Sequence, residues 1–282
     1  MTAYDRRITP ARADLAADLL RGKVEAAAFV PGRTFGVTAP AADLRRTPAL
    51  ASGIETQALH GEAVTVYEQA GDWAWGQLAS DGYVGYMRSS DLGAWGPPTH
   101  RICVPRSFVY PGASVKLPAC AALSLNASVQ VVEQCGDFAV LADGTCIFAA
   151  HLAANGDTVT DFVAVAETFL NMPYLWGGKT SLGLDCSGLV QQSLAAAGVQ
   201  APRDSDMQET ALGWPVPFDA ALTGLRRGDL VFWKGHVGIM RDALTLLHAN
   251  GHHMLVVSEP LAVARQRIAA KSFGAVTSVR RL

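Results

Sequence analysis

Apolar and polar positions alternate with two different periods along this chain, and the change of period divides it. Between residues 63 and 87 the period is two. Ala63-Val64-Thr65-Val66-Tyr67, Trp73-Ala74-Trp75-Gly76-Gln77-Leu78 and Gly82-Tyr83-Val84-Gly85-Tyr86-Met87 read as strands, separated by the turn formers Ala70-Gly71-Asp72 and Ser80-Asp81-Gly82. Short strands joined so tightly predict a small β-barrel, with Trp73, Trp75, Tyr83 and Tyr86 serving mostly as its core. Five further runs, 113–117, 122–125, 128–133, 138–141 and 145–148, with turn glycines Gly112, Gly136 and Gly144, permit a second barrel. Gly93-Ala94-Trp95-Gly96-Pro97-Pro98 and Ala154-Asn155-Gly156-Asp157 read as the linkers that bound it.

Beyond residue 157 helical and strand periods mix. The turn-rich stretch Tyr174-Leu175-Trp176-Gly177-Gly178 precedes a helix predicted over 187–197, where Leu189, Val190, Ser193, Leu194 and Ala197 repeat at helical spacing and Gly198 is the stop. Asp229-Leu230-Val231-Phe232-Trp233, then 236–240, then 244–248 read as three antiparallel strands with turns at Lys234-Gly235 and Arg241-Asp242-Ala243. The layout expected is an N-terminal extension over 1–22, barrels over 23–95 and 96–155, and an α+β domain over 156–282.

Composition narrows the function classes. Half the residues are hydrophobic, and 23 Lys and Arg against 25 Asp and Glu leave a net charge of −2 with no basic block, which argues against a nucleic-acid partner. No apolar run approaches the roughly 20 residues of a membrane helix, so no membrane partner is expected. The stretch 13–20 is broken by Asp14 and Asp18 and offers no signal-peptide core. Five cysteines, Cys103, Cys120, Cys135, Cys146 and Cys186, are an odd number in no paired spacing. That argues against a disulfide framework and a zinc site, and together with the N-terminus it predicts a cytoplasmic protein with no metal and no cofactor.

Cys186 carries the candidate chemistry. It sits at a predicted helix start, where unpaired N–H groups and the macrodipole favour a thiolate and stabilise an oxyanion. His236 and His248 each lie six residues from Asp242, so a turn centred there makes them cross-strand partners with Cβ atoms about 4.5–5.5 Å apart. A lone cysteine beside Leu and Val is more often packing, and a lone histidine on a strand is more often structural. Together, a helix-borne Cys followed by two sheet-borne His has the order of nucleophile, base and orienter, which assigns His236 as base and His248 as orienter.

Tyr174-x-Trp176-Gly177-Gly178, Asp185-Cys186-Ser187-Gly188-Leu189-Val190, Pro202-Arg203-Asp204-Ser205, Gly228-Asp229-Leu230-Val231-Phe232-Trp233 and His236-Val237-Gly238-Ile239 together resemble the NlpC/P60 cysteine peptidases of the cell wall. The resemblance implies a papain-like catalytic domain with a Cys186, His236 and His248 triad. It further implies Tyr174 at the oxyanion, and Trp176, Asp185, Ser187, Asp204 and Ser205 along the substrate groove. Thr56-Gln57, Gly61-Glu62-x-Val64, Asp72-Trp73 and Asp81-Gly82-Tyr83-Val84-Gly85-Tyr86 resemble a bacterial SH3 domain. Two SH3-like barrels before such a domain resemble the γ-D-glutamyl-L-diamino acid endopeptidases that recycle murein peptides. In that group the first barrel narrows the groove to peptides with a free N-terminal L-alanine. A buried ammonium needs a carboxylate, and Asp185 and Tyr83 are the candidates to read it, with Glu55 or Glu62 as a second anion. Tyr83 as a barrel-core aromatic stays equally open. The partner implied is a murein-derived peptide, cleaved to release L-Ala-γ-D-Glu. An acyltransferase or amidase of the same fold, and a peptidoglycan-binding protein with a vestigial peptidase domain, are the alternatives.

Overall fold

Strands dominate the first 155 residues. In the computed structural model, which describes residues 4–219 and 221–282, the chain folds as two units, one up to residue 155 and one from residue 156. The first unit holds a seven-stranded antiparallel sheet in the order Ile54–Leu59, Ala41–Arg45, Val84–Arg88, Trp73–Leu78, Ala63–Ala70, Arg33–Val37 and Leu92–Gly93. It closes around Leu44, Val64, Leu78, Tyr83 and Met87. The last four come from runs whose alternation is plain. Ala41–Arg45 and Ile54–Leu59 went unrecognised because alanine and threonine fill half of their inward positions and blur the contrast.

The N-terminal segment is no separate extension. Leu15–Ala17 pairs in parallel with Ala28–Val30, and the Val84 N–H donates to the Arg7 carbonyl. The Arg12 guanidinium lies 4.4 Å over the Trp75 ring and donates to Glu68 and to the Tyr86 hydroxyl. Residues on both sides of the expected boundary at 22 thus belong to the wall of the first barrel. Arg12, a polar residue that looked like part of a tail, is here a partner of the buried Trp75 ring and the half-buried Tyr86.

A five-stranded sheet, Ala121–Ser124, Arg106–Tyr110, Cys146–Phe148, Phe138–Leu141 and Val131–Cys135, and a three-stranded one, Ser128–Val129, His100–Ile102 and Leu152–Ala154, complete the first unit. They share a core that includes Ile102, Leu123, Val129, Leu141 and Ile147. The strand expected at 113–117 is absent: that stretch is a series of bends after Tyr110, and the strand that fills its place is Arg106–Tyr110. Pro111 and Pro118, which cannot donate to a ladder, explain the bends.

The second unit is a six-stranded antiparallel sheet in the order Trp214–Pro215, Ser278–Arg281, Leu230–Trp233, His236–Met240, Thr245–Asn250 and Leu255–Pro260. The helix Cys186–Ala196 is almost wholly buried, and its N-cap Asp185 accepts from the Gly188 N–H at 2.7 Å. Val231, Trp233, Met240 and Leu246 pack with Leu261, Ala264 and Ile268 of the helix Leu261–Lys271. No described helix is long and apolar enough to cross a membrane.

One register differs from expectation. Ile239 pairs with Leu247 and Met240 with Leu246, so the hairpin is centred on Ala243, one residue beyond Asp242. Asp242 opens the turn instead: its side chain accepts from the N–H groups of Leu244 and Thr245, both at 2.8 Å. Continuing that register sets Asn250 opposite His236 and makes the two histidines diagonal neighbours. A shift of two keeps both on the same face.

Candidate active site

Helix capping places the nucleophile. Cys186 is the first residue of its helix because Asp185, extended in backbone, caps it and holds the Gly188 N–H. The same carboxylate accepts from the Gly177 N–H at 2.9 Å, from the Ser187 hydroxyl, and from both terminal nitrogens of Arg203 at 3.0 and 2.6 Å. Arg203, only 1% exposed, donates further to the Ser187 Oγ at 2.8 Å. Asp185 is therefore the anchor of an internal ion pair, and its oxygens are committed to donors inside the unit. Ser187 is likewise buried and bonded to Arg203, and neither residue is in the lining of the cavity at Cys186.

The sheet places the histidines. His236 and His248 are 3% and 0% exposed, with Nε2 of the first 2.8 Å from Nδ1 of the second and ring centroids 5.1 Å apart. His248 Nε2 lies 2.8 Å from Glu259 Oε1, and Arg267 holds both Glu259 oxygens at 2.6 Å. Burial works to raise the Glu259 carboxyl, but hydrogen bonds from His248 and Arg267 outweigh it and hold it at about 2. An ionised Glu259 accepts, so His248 Nε2 carries a proton and donates, and its Nδ1 accepts from His236 Nε2–H. The Nδ1 of His236 is then the unprotonated nitrogen. Asn250 Nδ2 also comes within 3.1 Å of His248 Nε2, but two donors cannot share a bond, and the charged acceptor Glu259 wins. Glu259 was missed in the sequence: nothing in Val257-Ser258-Glu259-Pro260 separates it from a surface glutamate.

Burial sets the resting charges. It lowers His236 well below the usual imidazole range, with the His248 charge adding to the effect, and lowers His248 against the pull of Glu259. It also pushes the Cys186 thiol up to about 12, aided by the Asp185 carboxylate and opposed by the N–H groups of Val237 and Ser187 and by Arg203. The helix-start position does not outweigh burial, so thiol and imidazole rest neutral.

Cys186 and His236 line one cavity of about 270 Å³ within this unit, together with Tyr174 and Trp176. Tyr174 is pinned by its backbone, its N–H donating to the Met254 carbonyl, and burial raises its hydroxyl so that it keeps its proton. Trp176 is 68% exposed at the cavity's edge. Phe273 stacks on the His236 ring at 5.4 Å and 9°. Asp204 and Ser205 open the helix Ser205–Ala211 and lie outside this lining. Glu55 and Tyr83 line a separate cavity in the first unit, Glu55 paired with Arg46 at 3.0 Å and Tyr83 buried in the barrel core at 3% exposure. Glu62 braces a turn there, accepting from the Leu59 N–H and the Ser80 hydroxyl. Among the described residues no cluster of three His, Cys, Asp or Glu is arranged to hold a metal.

Comparison with known proteins matches two regions of the chain to described families. Residues 171–269 match the NlpC/P60 family and residues 44–92 match the bacterial dipeptidyl-peptidase Sh3 domain. The chain is similar to a γ-D-glutamyl-L-lysine dipeptidyl-peptidase of Bacillus subtilis, 29% identical over 70% of this chain and 72% of that one. A protein of the same name from Bacillus cereus is 29% identical over 67% of this chain and 62% of that one. A crystal structure of an NlpC/P60 family protein from Bacillus cereus superposes with a TM-score of 0.73 at 21% identity, covering 88% of this chain and 99% of that one, which shows a shared fold. The chain thus carries an NlpC/P60 domain of α+β fold, preceded by a strand-rich region that contains a bacterial SH3 domain.

Proposed function

We propose that the protein is a cysteine endopeptidase that cleaves the bond between γ-D-glutamate and an L-diamino acid in murein peptides with a free N-terminal L-alanine. The observation that carries the reading is the buried chain from Cys186 through His236 and His248 to Glu259, opening on a cavity beside Tyr174. The names of the similar Bacillus proteins support the substrate class. His236 Nδ1 takes the Cys186 proton as the sulfur attacks the carbonyl carbon of γ-D-glutamate. Proton transfer and attack are concerted because neither partner is charged at rest. The Tyr174 hydroxyl and the N–H groups at the helix start stabilise the oxyanion. The imidazolium, steadied through His248 by Glu259, protonates the leaving amine, and water activated by the same imidazole releases L-Ala-γ-D-Glu from the thioester. A cytoplasmic, recycling role belongs to the same proposal, and the exposed thiols of Cys103, Cys120 and Cys135 suit a reducing compartment.

Incubation with L-Ala-γ-D-Glu-diamino acid tripeptides and their N-acetylated forms, followed by mass spectrometry with Cys186→Ala as control, tests this. Cleavage of the free-amine peptides alone, lost in the variant, is expected. Equal cleavage of both forms removes the requirement for a free amine, and transfer to an added amine in preference to water identifies an acyltransferase.

A further inference from the structure

The cavity at Cys186 has an uneven charge. Its lining contains Arg267 and Lys271, and no aspartate or glutamate among the described residues. Arg267 is spent on Glu259, which it grips with two bonds of 2.6 Å. Lys271 is the last residue of its helix, exposed, with no ion-pair partner among the described residues, and its charge reaches His252 on the same wall. A lysine in the last turn of any helix complements the macrodipole. What sets this one apart is its place on the wall of the site.

The reaction direction tells which half of a substrate lies there. His236 hands its proton to the leaving amine, so the leaving residue rests against the imidazole. Phe273 covers that imidazole, and Lys271 stands two residues before it along the same wall. A side chain running outward from the leaving amine past Phe273 stays within the cavity that Lys271 also lines. A lysine side chain would bring an ammonium into that cavity, where no carboxylate waits and a like charge does. A diaminopimelate side chain ends in a carboxylate as well as an amine and supplies the missing anion.

Resting on the γ-glutamyl peptidase reading, we infer that Lys271 forms a carboxylate subsite for the side chain of the leaving residue, so the preferred diamino acid is diaminopimelate and not lysine. This departs from the lysine in the names of the similar Bacillus proteins. The α-carboxylate is common to both tripeptides and cannot produce the difference.

The test measures kcat/KM of the full chain on L-Ala-γ-D-Glu-meso-diaminopimelate and L-Ala-γ-D-Glu-L-Lys, with Lys271→Gln and Lys271→Glu beside it and thermal melts to confirm folding. About two- to fivefold preference for the diaminopimelate peptide is expected, corresponding to one exposed ion pair. Lys271→Gln should erase it, and Lys271→Glu should invert it by raising turnover of the lysine peptide above the unsubstituted level, a gain no folding defect produces. An unchanged ratio in Lys271→Glu, or a preference for lysine in the unsubstituted protein, overturns the subsite and leaves the peptidase reading standing. Failure of the unsubstituted protein to cleave either peptide overturns both.

Discussion

Glu259 gives the histidine pair its direction. Without an ionised acceptor at His248 Nε2, either nitrogen of either ring could carry the proton, and half of the arrangements would block His236 as a base. Glu259→Gln keeps the shape but removes the charge that steadies the imidazolium, so kcat is expected to fall roughly ten- to a hundredfold with KM little changed. A variant in which KM rises and kcat holds would instead mark Glu259 as a binding residue. The pH profile is a second readout. Burial depresses His236 and His248, so the acid limb of kcat/KM should lie below pH 6.5, and loss of Glu259 should move it lower still. The sequence exposed the attacking side of this site, because Cys186 after an acidic cap and His236 after a Gly turn stand in recognisable motifs. It hid Glu259, which serves only other side chains and stands in no motif, and it hid the pairing of Asp185 with Arg203, whose motifs lie far apart in the chain.

Elements were legible where one cue dominated and illegible where packing decided. The helix Cys186–Ala196 announced itself through cap, spacing and the Gly198 stop, while the helix Leu261–Lys271, with Pro260 and Arg265-Gln266-Arg267 breaking its apolar stripe, did not. The one-residue error in the turn at Ala243 has the same origin: Asp242 is a turn residue in either register, and only the ladder fixes the centre. How tightly the nucleophile helix is seated shows at Gly188, where an added Cβ would run into the Gly178 carbonyl and approach Asp185 Oδ1 at 2.9 Å. Gly188→Ala is expected to destabilise the second unit by about 1–3 kcal/mol and to displace Cys186 from His236. A melt and an activity assay check it: unchanged stability with full activity would show that the helix start can shift without cost.

The whole molecule carries its titratable burden unevenly. His236 and His248 stay neutral in the folded second unit but protonate on unfolding, so the stability they support is full above about pH 6.5 and declines as the pH falls below it. Glu259 is ionised when folded down to about 2, so its contribution is full above its ordinary value of 4.5 and is lost between there and about 2. On acidification the second unit should therefore lose structure before the first, with activity vanishing alongside near-UV signal while the β-signal of the first unit persists. Simultaneous loss of both would show that the units do not melt independently.

The relay from His236 through His248 to Glu259 runs crosswise, one member on each of three neighbouring strands. Each step is a diagonal across one ladder, so the spacing is set by the register of the sheet itself, and no partner can drift alone without tearing a ladder. Such a site wears out all at once. A sample aged by heat should contain molecules at full speed and molecules that are silent, and no slow ones in between.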